Sequence, residues 1–242
     1  MPSNEQVILI TGASRGLGLE VARCFARRQV RLVLTARNDA ALQAAAAELR
    51  QHTDVVALAG DVADTAHSEA LIALGLARFG RIDVLINNAS TLGPSPMPAL
   101  DAYPVDDLPA VFQVNATAPL RLAQLVLPGM RQRGSGVIIN VTSDAGVNAY
   151  PGWGGYGASK AALEHLSRTL AAELEGSGVR VYVVDPGDMN TRMHEEAEPG
   201  VDLGGLPLPN VPAPAFVYLV EEETAPFLRV EAAALLSRSA VR

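Results

Sequence analysis

The chain has 242 residues, enough for one α/β domain and a core that needs no staples. Its formal net charge of −7 and pI near 5.1 exclude a nucleic-acid partner, which requires a basic surface. Cys24 stands alone and cannot close an internal disulfide, and the polar start (1–6) has no basic stretch before a short apolar run; a cytoplasmic protein without a membrane span is expected.

In chain order, short β-rich apolar runs fall at 7–11, 32–35, 55–59, 82–86, 137–141 and 179–184. Most are continuous rather than alternating, as strands covered on both faces should be. Between the first two, Leu17, Val21, Cys24 and Phe25 recur at helical spacing. A single helix is expected over 108–131, and Leu163, Leu166, Leu170 and Leu174 form another helical stripe. Strand–helix alternation over six units predicts a Rossmann-type, doubly wound parallel sheet in one domain, 1–242. The rhythm breaks at 188–214, rich in Pro and Gly, before a seventh strand expected near 227–232. A long irregular insertion in a compact domain predicts a substrate loop or lid, although a variable surface loop would read the same way.

The first strand runs into Thr11-Gly12-Ala13-Ser14-Arg15-Gly16-Leu17-Gly18 and then a helix. Glycines there allow a tight turn and let backbone N–H groups approach a pyrophosphate at the helix N-terminus. The second strand ends Thr35-Ala36-Arg37, with Ala36 where a carboxylate would select NAD by binding the ribose 2′-hydroxyl. Arg37, with Arg15 from the glycine loop, suits a 2′-phosphate instead, so NADP(H) is the expected cofactor. Two solvated surface arginines are the plainer alternative.

Beyond this loop come Asn87-Asn88-Ala89-Ser90 after the fourth strand, Asn115 in a helix and Ser143 after the fifth strand. Tyr156-x-x-x-Lys160 follows, then Pro186-Gly187 after the sixth strand. In order and spacing, over nearly the whole chain, this set resembles the short-chain dehydrogenase/reductase family. The resemblance implies cofactor contacts from Gly12, Ser14, Arg15, Gly16, Leu17, Gly18, Arg37, Asp61, Val62, Asn88 and Ala89. It adds Tyr156, Lys160, Pro186, Gly187, Met189 and Thr191 around the nicotinamide. Asp61 is otherwise an ordinary turn residue. Ser90 departs from the glycine usual in the family and is expected to alter the local turn.

Tyr156 and Lys160 lie four apart and so share one helix face. An ammonium ~5 Å from the phenol at an effective dielectric near 20 is worth roughly 3 kcal/mol, or about two pKa units downward. Tyr156 would then protonate a carbonyl oxygen or take the proton from an alcohol, with Ser143 donating to the same oxygen. The resemblance implies that Lys160 also holds the nicotinamide ribose and that Asn115 supports a water-linked proton path. A Tyr/Lys pair alone is common on helix surfaces; the four residues together, around a dinucleotide motif, make the catalytic set. The other tyrosines have no lysine four residues on.

His52, His67, His165 and His194 are scattered without ligand spacing, so no metal is expected. Val147, Tyr150, Trp153, Met193, Leu203 and Leu206 suggest an apolar or weakly polar carbonyl or alcohol substrate. Gly134 and Ser177 stand where carrier-protein reductases of the family tend to have arginines, although Arg133 is adjacent. The leucine stripe and the 108–131 helix predict a homodimer or homotetramer. The rival readings are a non-catalytic NADP(H) sensor or scaffold, and an epimerase or dehydratase; the roughly 50 residues after Pro186-Gly187 are few for the latter.

Overall fold

The computed structural model describes residues 5–239. Its frame is a parallel sheet of seven strands in the order β3-β2-β1-β4-β5-β6-β7. The strands are β1 (Val7–Thr11), β2 (Arg31–Ala36), β3 (Val55–Ala59), β4 (Val84–Asn87), β5 (Gly136–Val141), β6 (Val179–Asp185) and β7 (Phe227–Glu231). The Rossmann-type expectation is met, and the order reverses between β1 and β4, where α/β sheets open a crevice at the strands' C-terminal ends. β4 begins two residues later than its apolar run. Asp83 is drawn off the ladder: its carboxylate accepts from the Val7 amide at 3.0 Å and pairs with Arg81 at 2.7 Å.

Continuous apolar strands feed two cores, one on each face. On one face Ile8, Ile10, Leu32 and Leu34 pack with Phe25 of α1 (Gly16–Ala26), Leu42 of α2 (Asp39–Leu49), Phe216 and Leu235. On the other, Val7, Leu9 and Val33 meet Leu71 of α3 (Thr65–Phe79) and Leu174. Asn38 and Asp64 cap α2 and α3, accepting from Ala41 and Ala66 amides at 2.9 Å each.

The helix expected over 108–131 is three pieces: α4 (Leu108–Phe112), a π-turn at Gln113–Thr117, and α5 (Ala118–Arg133). The extra residue of the π-turn breaks the 3.6 period and turns Asn115 inward. The stripe on α6 (Gly154–Glu173) and just past it also reads differently in space: Leu163 and Leu174 are buried by this chain, and Leu166 and Leu170 half-buried. Less of it is left for a second copy than the periodicity implied. The expected lid, 188–214, is not wholly irregular. Its first third is α7 (Arg192–Ala197), where Thr191 Oγ1 accepts from the His194 amide at 3.2 Å; α8 (Pro214–Glu221) closes it and α9 (Ala232–Ser239) follows β7. No helix among the described residues is long and apolar enough to cross a membrane.

Candidate active site

A cavity of about 1160 Å³ runs along the C-terminal ends of the strands, from Arg37 beside β2 to Trp153 ahead of α6. Among its walls are Gly12, Ser14, Arg15, Gly16, Leu17, Arg37, Asp61, Val62, Asn88, Ala89, Ser143, Tyr156, Lys160, Pro186, Gly187, Met189 and Thr191. All of these were singled out by motif. Gly18 and Asn115 are not on the wall. Gly18 sits behind the loop, where a Cβ would come 2.4 Å from the Gly12 carbonyl oxygen. Asn115 is buried behind Ser90 and Thr91.

At the first end, the turn is built from three directions. Gly12 takes φ +68°, and a Cβ there would meet Asn88 Nδ2 at 2.8 Å. Asn88 Nδ2 donates to the carbonyls of Thr11 and Gly12, at 2.9 and 3.2 Å, while Thr11 Oγ1 accepts from the amides of Asn88 and Ala89, both at 3.0 Å. Asn88 is therefore the clasp between β1 and β4. The N-terminus of α1 has no side-chain cap, which leaves its first amides to other partners, and Gly16 and Leu17 of that turn line the cavity. Arg15 and Arg37 are exposed above it, with no ion pair found for either among the described residues. Asp61 turns back on its own loop, accepting from the Ala63 amide at 2.9 Å.

At the other end, Tyr156 and Lys160 leave the first turns of α6 on one face, and both are buried. Lys160 Nζ donates to the Val141 carbonyl at 2.8 Å and lies 5.5 Å from the Tyr156 ring centroid. Burial pushes its pKa down to about 8 against the opposing pull of the Asp185 and Glu164 carboxylates. The expected depression of the phenol does not hold: burial holds Tyr156 well above the ordinary tyrosine value, and the carboxylates of Asp185 and Asp144 push the same way. The Ser90 and Ser143 hydroxyls offset part of this. Lys160 gives one of its protons to the β5 backbone, and desolvation is the largest effect on Tyr156.

Asn115 is tied on every side: Oδ1 accepts from Ser90 Oγ at 3.0 Å and the Thr91 amide at 2.9 Å, and Nδ2 donates to the Thr91 carbonyl at 2.8 Å and Ser159 Oγ at 2.9 Å. Its side chain makes no bond to Lys160; it braces the loop that carries Ser90. Ser143 Oγ donates to Asp144 Oδ1 at 3.2 Å, and the Tyr150 hydroxyl donates to Asp144 Oδ2 at 2.5 Å.

Of the six side chains suggested for substrate, only Trp153 and Met193 line the cavity. Leu203 is buried and Leu206 half-buried elsewhere in the loop, Val147 is exposed, and Tyr150 is exposed with its hydroxyl on Asp144 of the cavity wall. Leu92 and Ala197 join Trp153, Met193 and Tyr156 in a small apolar cluster instead. Trp153 meets Tyr156 edge to face, with centroids 5.7 Å apart. Motif reading also missed Asp185, a carboxylate only 5% exposed on the cavity wall. Its one sequence signal is an acid closing an apolar strand directly before Pro186-Gly187. Among the described residues no group of three His, Cys, Asp or Glu side chains could hold a metal ion.

A family model described as short chain dehydrogenase matches residues 6–202. The 2-(R)-hydroxypropyl-CoM dehydrogenase of Xanthobacter autotrophicus is 36% identical over 190 residues, 78% of this chain and 76% of that one. A short-chain dehydrogenase of known structure from Streptomyces avermitilis superposes with a TM-score of 0.80 at 31% identity, covering 98% of this chain and 93% of that one. A metagenomic short-chain oxidoreductase solved in complex with NADP gives 0.79 at 30% identity, covering 95% and 99%. This chain belongs to the short-chain dehydrogenase family. It is an oxidoreductase of the CH–OH/C=O class, built to transfer hydride with a nicotinamide nucleotide.

Proposed function

We propose that the chain interconverts a carbonyl and an alcohol using NADP(H), with Tyr156 as the general acid–base. The observation that carries the nucleotide choice is the pair of exposed guanidiniums, Arg15 and Arg37, above the uncapped N-terminus of α1, with Ala36 in place of an acid. Uncapped amides and two arginines fit a pyrophosphate and a 2′-phosphate, and the cavity is long enough for a dinucleotide with room for substrate. When bound, the nucleotide supplies or accepts the hydride.

The residues do the rest. Ser143 and Tyr156 offer two hydroxyls to one substrate oxygen, and Tyr156 passes its proton to that oxygen in reduction or takes it in oxidation. Lys160 places a positive charge behind the phenol and offers its remaining protons to a ribose. The Gly187 turn and the Thr191 hydroxyl, whose own proton is free of the α7 cap, suit a carboxamide. Leu92, Trp153, Met193 and Ala197 favour an apolar or weakly polar substrate. A homo-oligomer and a cytoplasmic setting complete the proposal, the first to be checked by light scattering against the 25.4 kDa monomer mass.

The test is steady-state NADPH oxidation over a panel of aldehydes, ketoesters, quinones and cyclic ketones, with NADH in parallel. Turnover with NADPH on members of the panel supports the reading. Tight nucleotide binding with no turnover in either direction would favour a nucleotide sensor.

A further inference from the structure

The two ends of the cavity differ in charge. Arg15, Arg23 and Arg37 stand at the first with Glu20 and Asp61; Asp144, Asp185, Asp188 and Glu231 line the second. Basic side chains near the second end are mostly engaged. Arg192 holds Glu196 at 2.7 Å, His194 faces Asp188 at 3.9 Å and Glu198 at 3.3 Å, and Arg229 holds Glu164 at 2.9 Å. That leaves Lys160 as the one buried ammonium against this group of carboxylates.

Asp185 is the deepest of them. It closes β6, is only 5% exposed, and accepts from the Gly187 amide at 2.9 Å, in the turn proposed to hold the carboxamide. Burial pushes its own pKa up and the Gly187 amide offsets part of this; as a carboxylate it holds the Lys160 pKa up against burial and adds to the rise of the Tyr156 pKa. A carboxylate this far from solvent is screened little by salt, whereas Asp188, on the surface, counts for less.

We propose that Asp185, with Asp144, Asp188 and Glu231 around it, biases this end of the cavity toward the positively charged, oxidised nicotinamide over the neutral, reduced one, and so makes bound NADPH a stronger hydride donor than it would be without that carboxylate. This rests on the nucleotide reading above. In carbonyl reduction the carbonyl carbon gains the hydride and its oxygen a proton from Tyr156; one positive charge appears where the nicotinamide lies and one negative charge on the phenolate, until Tyr156 regains a proton from solvent. A fixed, preorganised anion favours the positive nicotinamide and opposes the phenolate, so its gain lies in the redox balance of the bound nucleotide. It can do so only through a difference in affinity for the two redox forms, which is directly measurable.

The experiment is equilibrium titration of the full chain with NADP+ and with NADPH, without carbonyl, by calorimetry at low salt. Asp185→Asn keeps the shape and removes the charge; it should move the ratio of the two dissociation constants about tenfold in favour of NADPH. Glu231→Gln, at an exposed site, should move the ratio the same way by less, and it carries the test if the Asp185 variant does not fold. Arg37→Ala should weaken both nucleotides alike and leave the ratio unchanged. A ratio unmoved by these carboxylate substitutions, including an equal loss of both nucleotides, overturns the proposal. Wild-type protein that binds neither nucleotide would instead overturn the nucleotide reading itself.

Discussion

Ser90 Oγ donates to Asn115 Oδ1 at 3.0 Å, and the same hydroxyl lies against the Tyr156 phenol. A hydroxyl has one proton, so while Ser90 donates to Asn115 it can only accept from a neutral phenol. Once Tyr156 ionises, rotating that proton onto the phenolate costs one bond, and Asn115 Oδ1 keeps the Thr91 amide at 2.9 Å. Ser90→Ala should therefore raise the pKa read from the pH profile of kcat and slow turnover at neutral pH several-fold, with KM little changed. Ser90→Thr should restore the profile. A profile that Ser90→Ala leaves in place would mean that Ser90 only shapes the loop.

Tyr156→Phe removes a single oxygen from a ring that stays packed against Trp153. Turnover should fall by about 10²–10⁴-fold while NADPH binding stays within a few-fold of wild type. Retention of more than about a tenth of the wild-type rate would falsify Tyr156 as the proton donor.

On the proposed reading, the exposed arginines set the nucleotide preference. A charge-assisted hydrogen bond is worth about 1.5–3 kcal/mol, so Arg37→Ala should weaken NADPH roughly ten- to a hundredfold and barely touch NADH. Ala36→Asp adds repulsion against a 2′-phosphate as well as a ribose partner, and specificity switches work best with a repulsive element. Combined with Arg37→Ala it should invert the kcat/KM ratio. A double variant that still prefers NADPH would point to Arg15 alone or to a different phosphate site.

Lys160 should leave a mark on stability. The unfolded side chain keeps its proton to a pKa of 10.5, and burial brings the folded value to about 8. Between those values the unfolded chain binds more protons, so the Lys160 contribution makes stability rise with pH across that window and stay flat below it. The rise should be on the order of 2–3 kcal/mol. It is read as the difference between wild type and Lys160→Met in urea unfolding without nucleotide. That difference removes the opposite trend that Tyr156, held above its ordinary value, adds at higher pH. Parallel curves for the two proteins from about pH 7.5 to about pH 10 would show that the buried ammonium is not desolvated.

The strands and the order of motifs were legible because apolar runs and turn residues are local signals. Tyr156, Lys160 and Ser143 could be chosen because each sits at the end of an element whose direction the pattern sets, and because they fall in order around a dinucleotide motif; spacing alone would not have selected them. Asp185 and Ser90 were not legible as site residues. Whether a carboxylate closing a strand faces solvent or the cavity depends on β7 and α6 beside it, and these are brought together only by the sheet order. The same limit explains Leu203 and Leu206, which lie in a stretch without periodicity and are off the cavity wall. Asn115 was found for its position, while its bonds to Ser90, Thr91 and Ser159 were not foreseen, because the π-turn that buries it leaves no trace in a hydrophobic repeat.

That π-turn has an evolutionary reading. One residue added to a regular helix shifts everything after it by about 100° unless the excess is absorbed locally, and here Gln113–Thr117 absorbs it. Pro109 and Pro119 open the two flanking segments, and Val111 before the turn and Leu122, Val126 and Met130 after it all reach the core. Deleting one codon within the turn would let the backbone relax into a continuous helix with both flanks still seated, while swinging Asn115 away from Thr91 and Ser159. The gene thus holds a site where a frame-preserving loss would spare the fold and release the loop that carries Ser90 from its brace.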